Sequence, residues 1–210
     1  MAVARRNLRW LLKTIRAARA FGDDPRATAL VETALLLPVA LMTLALLVYG
    51  GEGFSIQRKV TLTARTVTDL VTQATPTQMS SGFSIVSHTS IDAELQVASA
   101  VMTPYSSCSG ANLSMVASEV VINSDGATAT VQWSEPYNGA TARTVGTKVT
   151  LPGTIGTGQA GNYFILGEVY YTYTPLNLFE TLGNLTLSGA IYLTPRQSIG
   201  ITCTDCATHS

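Results

Sequence analysis

A chain of 210 residues has room for one ordinary globular domain and a membrane anchor, not for two independent folds. Its 13 basic and 13 acidic residues cancel, but unevenly: residues 1–26 hold seven Lys/Arg against Asp23 and Asp24, while residues 71–210 hold Arg143, Lys148 and Arg196 against eight acidic residues. The mildly acidic stretch excludes nucleic-acid binding by the large domain, which needs clustered cations, and the low charged share of 12% with abundant Thr, Ser, Gly and Ala suits an extracytoplasmic β-protein.

At the N-terminus, Leu8, Leu11, Leu12, Ile15 and Phe21 recur at roughly helical spacing among arginines, with Trp10 beside them. This predicts a basic amphipathic helix, held at a bilayer surface by anionic headgroups or contacting a cytoplasmic assembly protein. From Thr33 to Gly51 there is no charge, and with Ala27–Val31 the apolar run exceeds the roughly 20 residues needed to cross a bilayer. The basic cluster before it predicts an N-in, C-out, single-pass membrane protein. A cleavable secretory signal fits less well, since its apolar core is shorter and carries no acid, and an organellar transit peptide is not followed by such a span. The segments are then a basic cytoplasmic tail (1–26), a transmembrane helix (27–51), an amphipathic helical extension (52–75) and an extracytoplasmic β-rich domain (76–210). Gly50, Gly51 and Gly53 at the junction weaken a helix and suggest a hinge.

Glu32 stands out, because an ionisable group in a span costs a few kcal/mol near the centre and calls for a partner. About a turn inside the boundary, it can also snorkel to the headgroups. The stretch from Arg26 to Pro38, RATALVETALLLP, places a small residue, four mostly small or apolar residues, a Glu and a Pro-containing apolar helix after a basic segment. It resembles the start of TadE-like proteins, minor pilin-like components of tight-adherence (Flp-type) pilus systems. The resemblance implies cleavage by a prepilin peptidase between Ala27, where the family usually has Gly, and Thr28, making Glu32 the fifth residue of the mature chain. It further implies that Glu32 registers subunit assembly by pairing with the new N-terminal amine of a neighbour. Without cleavage, Glu32 is a polar contact to another membrane helix. The implied partners are the lipid bilayer, other pilin-like subunits or pilus assembly membrane proteins, and a prepilin peptidase.

Ile56, Val60, Ala64, Val67 and Val71 continue at helical spacing, so one face of the extension should pack on the exported domain. Gln57-Arg58-Lys59 followed by Val60, Leu62, Ala64 and Arg65 also resembles the TadE-like pattern. Thr75-Pro76-Thr77 ends the helix, and Phe83–Met102 is expected to form a second one. Glu119–Ile122 and Ala127–Trp133 flank the turn sequence Asn123-Ser124-Asp125-Gly126, a hairpin pattern. Lys148–Leu151, Tyr163–Thr174 and Leu185–Leu193 read as further strands. The expected class is α+β: a long N-terminal transmembrane helix whose amphipathic extension packs against an antiparallel β-sheet domain. Tyr163–Pro175, a connection through Phe179 and Leu182, and Leu185–Arg196 resemble the C-terminal part of TadE-like domains. The alternation of Tyr171 and Tyr173 marks one face of a strand or an exposed recognition stripe.

Catalytic chemistry has little material. His88 and His209 are the only histidines, and neither sits beside a nucleophile motif. Gly156–Gly161 matches G-x-G-x-x-G but precedes a strand-like segment rather than a helix, so a flexible loop is expected. Cys108, Cys203 and Cys206 suggest a disulfide in an oxidising compartment, with three pairings open and one thiol left over. No metal and no cofactor is expected. The leading expectation is a non-enzymatic TadE-like minor pseudopilin or membrane-anchored assembly factor for pilus biogenesis; the alternative is a membrane-tethered extracytoplasmic binding or adhesion module.

Overall fold

The computed structural model describes residues 25–106, 110–174 and 184–206. The N-terminal amphipathic segment, Cys108, the connection through Phe179 and Leu182, and His209 lie outside the described residues. Two compact units divide between Gly51 and Glu52.

The described part of the first unit is helix α1 as far as Gly51; α1 as a whole is Pro25–Thr72. The residues predicted to span have Leu30, Val31, Leu35, Leu36, Leu41, Leu44 and Leu47 all exposed, so this part is apolar all round rather than on one stripe. It is the one described helix long and apolar enough to cross a membrane, by length and composition. At 1.5 Å per residue, the uncharged Thr33–Gly51 run is roughly 28 Å long. Pro38 lies inside it, and α1 stays helical through Gly50, Gly51 and Gly53.

The second unit is α+β. Past Glu52 the pattern of α1 becomes one-sided: Ile56, Val60, Ala64, Val67 and Val71 are buried, whereas Phe54 and Leu62 are exposed. The helical spacing of the sequence thus translates into one stripe that faces a sheet. That sheet has five antiparallel strands in the order β5-β4-β3-β6-β7, formed by β3 (Leu113–Ile122), β4 (Thr128–Tyr137), β5 (Lys148–Thr150), β6 (Tyr163–Tyr173) and β7 (Leu185–Leu193). The expected hairpin joins β3 to β4, and its turn is held by Asp125, which accepts from the N–H groups of Ala127 (3.0 Å) and Thr128 (2.9 Å). The same core takes in Leu113, Met115, Ala117, Trp133, Ile165, Val169 and Tyr171 from the sheet face under α1. A second cluster of Val120, Ile122, Val131, Phe164 and Leu166 forms elsewhere on the sheet.

One seat fixes the height of helix over sheet. A Cβ at Gly167 on β6 would lie 2.3 Å from Thr68 Oγ1 and 3.1 Å from the Ala64 carbonyl oxygen, so only glycine lets the backbones approach this closely. Gly189, on β7, is looser: its nearest neighbours across the seam would be 3.4 Å away. Lys59 anchors the other flank of α1 by donating to the carbonyls of Val101 (3.1 Å) and Thr103.

Two expectations are corrected. The segment Phe83–Met102 is not one helix: Phe83–Val86 is strand β2, helix α2 covers His88–Ser99, and Ala100–Met102 is a 3-10 turn. Ser87 ends the strand and caps the helix, its hydroxyl accepting from the Ser90 N–H at 3.3 Å. The strand is recruited by tertiary pairing: β2 lies parallel to β8 (Gly200–Cys203) and antiparallel to β1 (Gln78–Ser80), forming a three-stranded sheet absent from the sequence reading. The antiparallel expectation therefore holds for the five-stranded sheet but not for the β2-β8 pair.

The Gly167 seat generates a test. Gly167→Ala should lower the unfolding free energy of the full-length protein in detergent by about 2 kcal/mol or more, through overpacking against α1. Gly189→Ala should stay within about 0.5 kcal/mol of wild type. Urea titration followed by tryptophan fluorescence separates them, and equal effects would contradict the seating.

Candidate functional site

The sequence-derived site residues fall in separate places. Ala27 and Thr28 lie near the start of α1, before Glu32. Glu32 is exposed between the exposed apolar residues Leu30, Val31, Leu35 and Leu36, and has no hydrogen-bond partner among the described residues. It is the sole Asp, Glu, Lys, Arg or His between Arg26 and Glu52, so the helix surface offers a single carboxylate on a mostly apolar cylinder. In hydrocarbon, such a carboxylate is stabilised by an ammonium, a proton, or polar groups of a neighbouring helix.

Cys203 and Cys206 are joined, with S–S 1.99 Å and Cα–Cα 5.4 Å. Of the three pairings left open, this is the one within the C-terminal segment. His88 is a structural histidine: its Nδ1 lies 2.8 Å from Oε1 of the buried Glu135, and its backbone N–H donates to Asp205 Oδ1 at 2.8 Å. The loop containing Gly156–Gly161 leads directly into β6, as its sequence context suggested. Tyr171 is a core residue, its hydroxyl donating to the Tyr105 carbonyl (3.0 Å) and accepting from Asn112 Nδ2 (3.0 Å). Tyr173 donates to Glu52 Oε2 at 3.1 Å. The pair is therefore structural rather than a free stripe.

A cavity of about 320 Å³ is lined by Phe83, Glu119, Gln132, Trp133, Tyr163, Thr202 and Cys203. Its lining comes from β2 and β8 on one side and from β3, β4 and β6 on the other. The β3-β4 register shifts between Glu119 and Val120, and this bulge sets Glu119 opposite Trp133 while Val120 faces Val131. Glu119 is only 2% exposed, yet its Oε1 accepts from the Ile201 N–H at 2.5 Å. The Trp133 indole N–H donates to the Ile201 carbonyl, also at 2.5 Å. β8 is thus clamped at both backbone groups of one residue. Gly200 makes room, since a Cβ there would come within 2.9 Å of Glu119 Oε1 and 2.7 Å of the Phe83 ring. Phe83 and Tyr163 pack edge to face with centroids 5.2 Å apart. Burial pushes the Glu119 carboxyl up from its ordinary 4.5 to about 7, against the lowering effect of the Ile201 and Trp133 hydrogen bonds.

The opposite sheet face carries a second buried acid. Glu168 binds Arg143 in a two-pronged pair, Nε–Oε2 2.6 Å and Nη2–Oε1 2.7 Å, and accepts from the Tyr170 hydroxyl at 3.0 Å. The Arg143 N–H also donates to Ser134 Oγ (2.9 Å), which accepts from Ser118 Oγ (2.9 Å). This network ties the loop after β4 onto the sheet. Nothing in the sequence marked Glu119 or Glu168 beyond an acid inside a β-branched run, a pattern with period 2 that does not reveal which acids lose water.

No protein-family model, no curated protein and no solved structure matches this chain.

The raised Glu119 pKa gives stability a pH signature. The folded state holds the proton more tightly than the unfolded chain, so its stabilising contribution is complete below about pH 4.5 and is lost as pH rises through about 7. The loss amounts to about 3 kcal/mol at 1.36 kcal/mol per pKa unit. Glu119→Gln keeps an acceptor for Ile201 but cannot ionise. Urea unfolding at several values between about pH 5 and about pH 8 should show wild type losing stability relative to this variant as pH rises. Parallel profiles would contradict the assignment.

Proposed function

We propose that this chain is a membrane-anchored, TadE-like minor pseudopilin or assembly factor of a tight-adherence pilus system, working without catalysis. Its basic tail lies in the cytoplasm, α1 crosses the bacterial inner membrane, and the α+β unit is periplasmic or extracellular. The observation that carries this reading is Glu32, a lone carboxylate on a helix surface made mainly of exposed Leu, Val, Ala and Met side chains. The likeness of residues 26–38, 57–65 and 163–196 to the TadE-like pattern supports it.

The mechanism follows from solvation. An ion on a lipid-facing helix is costly, and a partner that neutralises it gains much of that cost back on contact. A free amine at Thr28, produced by prepilin-peptidase cleavage after Ala27, would supply such a partner on an adjacent subunit. Apolar contacts alone are weakly directional in lipid, whereas one carboxylate–ammonium pair sets a unique register between helices. Length and apolarity hold the anchor in the bilayer; Glu32 selects what it touches.

The adhesion-module reading draws on a different observation, the cavity lined by Glu119 and three aromatic rings. It places recognition in the exported unit and leaves Glu32 without a role in attachment.

Glu32→Ala should leave membrane insertion and protein level intact, judged by protease accessibility, while lowering the number of surface pili by at least about tenfold. Normal piliation in this variant would overturn the Glu32 mechanism. Separately, Edman sequencing of the protein recovered from membranes should begin at Thr28; an intact basic tail would rule out processing and leave Glu32 as a helix contact only.

A further inference from the structure

The main sheet has one guarded edge and one open edge. β5 ends it on one side with three residues, one of them Lys148, and Pro152 follows closely. Short length, lysine and proline are the usual protections against edge pairing. On the other side, β7 runs for nine residues, Leu-Thr-Leu-Ser-Gly-Ala-Ile-Tyr-Leu, with no charge, no proline and no register shift against β6.

The direction of the β7 backbone follows from the ladder. The Thr172 N–H donates to the Asn112 carbonyl (2.8 Å) at one end of the β3-β6 pair, and the Ile122 N–H donates to the Asn162 carbonyl (3.0 Å) at the other. Even-numbered backbone groups of β6 therefore face β3, and odd-numbered groups face β7. Gly167 pairs with Ile191 and Val169 with Gly189, so the odd residues of β7 bond inward. The N–H and C=O groups of Thr186, Ser188, Ala190 and Tyr192 point out of the sheet. Gln57 Nε2 donates to the Ser188 carbonyl at 3.1 Å, and among the described residues no strand pairs this edge.

We propose that β7 pairs with β7 of a second copy, antiparallel about a two-fold axis, joining two five-stranded sheets into one continuous sheet. An extended backbone is what a row of outward amides and carbonyls accepts. The copy is favoured over an unrelated peptide by closure and by charge. A lone added strand would present its own open edge, whereas a two-fold copy leaves only the guarded β5 edges at both ends. With no charge on β7, juxtaposing identical strands creates no like-charge repulsion. Leu185, exposed to 54%, and the partly exposed Leu187 and Leu193 would gain cover on the α1 side. The pairing involves the exported unit and is independent of Glu32.

The test is residue-resolved hydrogen–deuterium exchange on the full chain in detergent micelles at high and low protein concentration. The outward amides of Thr186, Ser188, Ala190 and Tyr192 should exchange at least about tenfold more slowly at high concentration, with the inward amides of Leu187, Gly189 and Ile191 protected throughout. Ala190→Lys, which sets two cations near the axis, should abolish the concentration-dependent protection. Ala190→Pro removes an outward N–H without touching the β6 ladder and should do the same. Outward amides that exchange freely at every concentration would overturn the proposal, and so would protection that is independent of concentration or that survives Ala190→Lys. A dimer held by the apolar helix alone would show unprotected outward amides and count against it.

Discussion

The α+β unit is organised by how closely α1 can approach β6. The Ile56, Val60, Ala64, Val67 and Val71 stripe is buried, and the absence of a side chain at Gly167 lets Ala64 and Thr68 sit almost on the strand backbone. Dispersion contacts fall off within an ångström, so this spacing decides whether Leu113, Met115, Ile165 and Val169 meet the helix or face a gap. The sheet order follows, since β6 is the strand between β3 and β7 and its seat under the helix positions both. Lys59 and the Gln57 amide then tie the flanks of α1 to the 3-10 turn and to β7.

Charge is used sparingly, and part of it turns inward. Of eight acidic residues between 71 and 210, Glu119, Glu135 and Glu168 are buried, and each meets a different kind of partner: a backbone amide, a histidine and an arginine. Each contact is between distant parts of the chain, so the buried carboxylates act as registry points between β8, α2 and the loop after β4. Burying them leaves a surface poor in charge, consistent with the unguarded β7 edge. Glu32 stands apart from all three, exposed on an apolar helix. Physically, buried acids that are hydrogen-bonded serve the fold, whereas an acid exposed on an apolar helix surface is available to another molecule.

Much of this was legible in the sequence, where a local period or turn encoded it. The 3.6-residue spacing from Ile56 to Val71 marked the buried stripe, and Asn123–Gly126 between two β-branched runs marked the hairpin. The uncharged run after Glu32 marked the apolar helix. What escaped was non-local. Phe83–Val86 is four residues long and becomes a strand only because Gly200–Cys203 arrives beside it in parallel, more than a hundred residues later. The cavity around Glu119 depends on a bulge that re-aims one side chain, a feature without a sequence signature here. Cysteine pairing likewise depends on which thiols the fold brings together, and the chain joins the two that are three residues apart.

Under the proposed function, the apolar helix is a contact surface organised around Glu32, not only an anchor. Site-specific photocross-linking in living cells distinguishes a contact surface from a bare anchor, with a photoreactive residue placed at Leu35 or Leu36, one turn after Glu32, and at positions on the opposite helix face. Covalent adducts to another pilin-like subunit or pilus assembly membrane protein should form from the Glu32 side, disappear when Glu32 is replaced by Ala, and be few from the opposite face. Adducts to lipid alone, or protein adducts indifferent to Glu32, would contradict it.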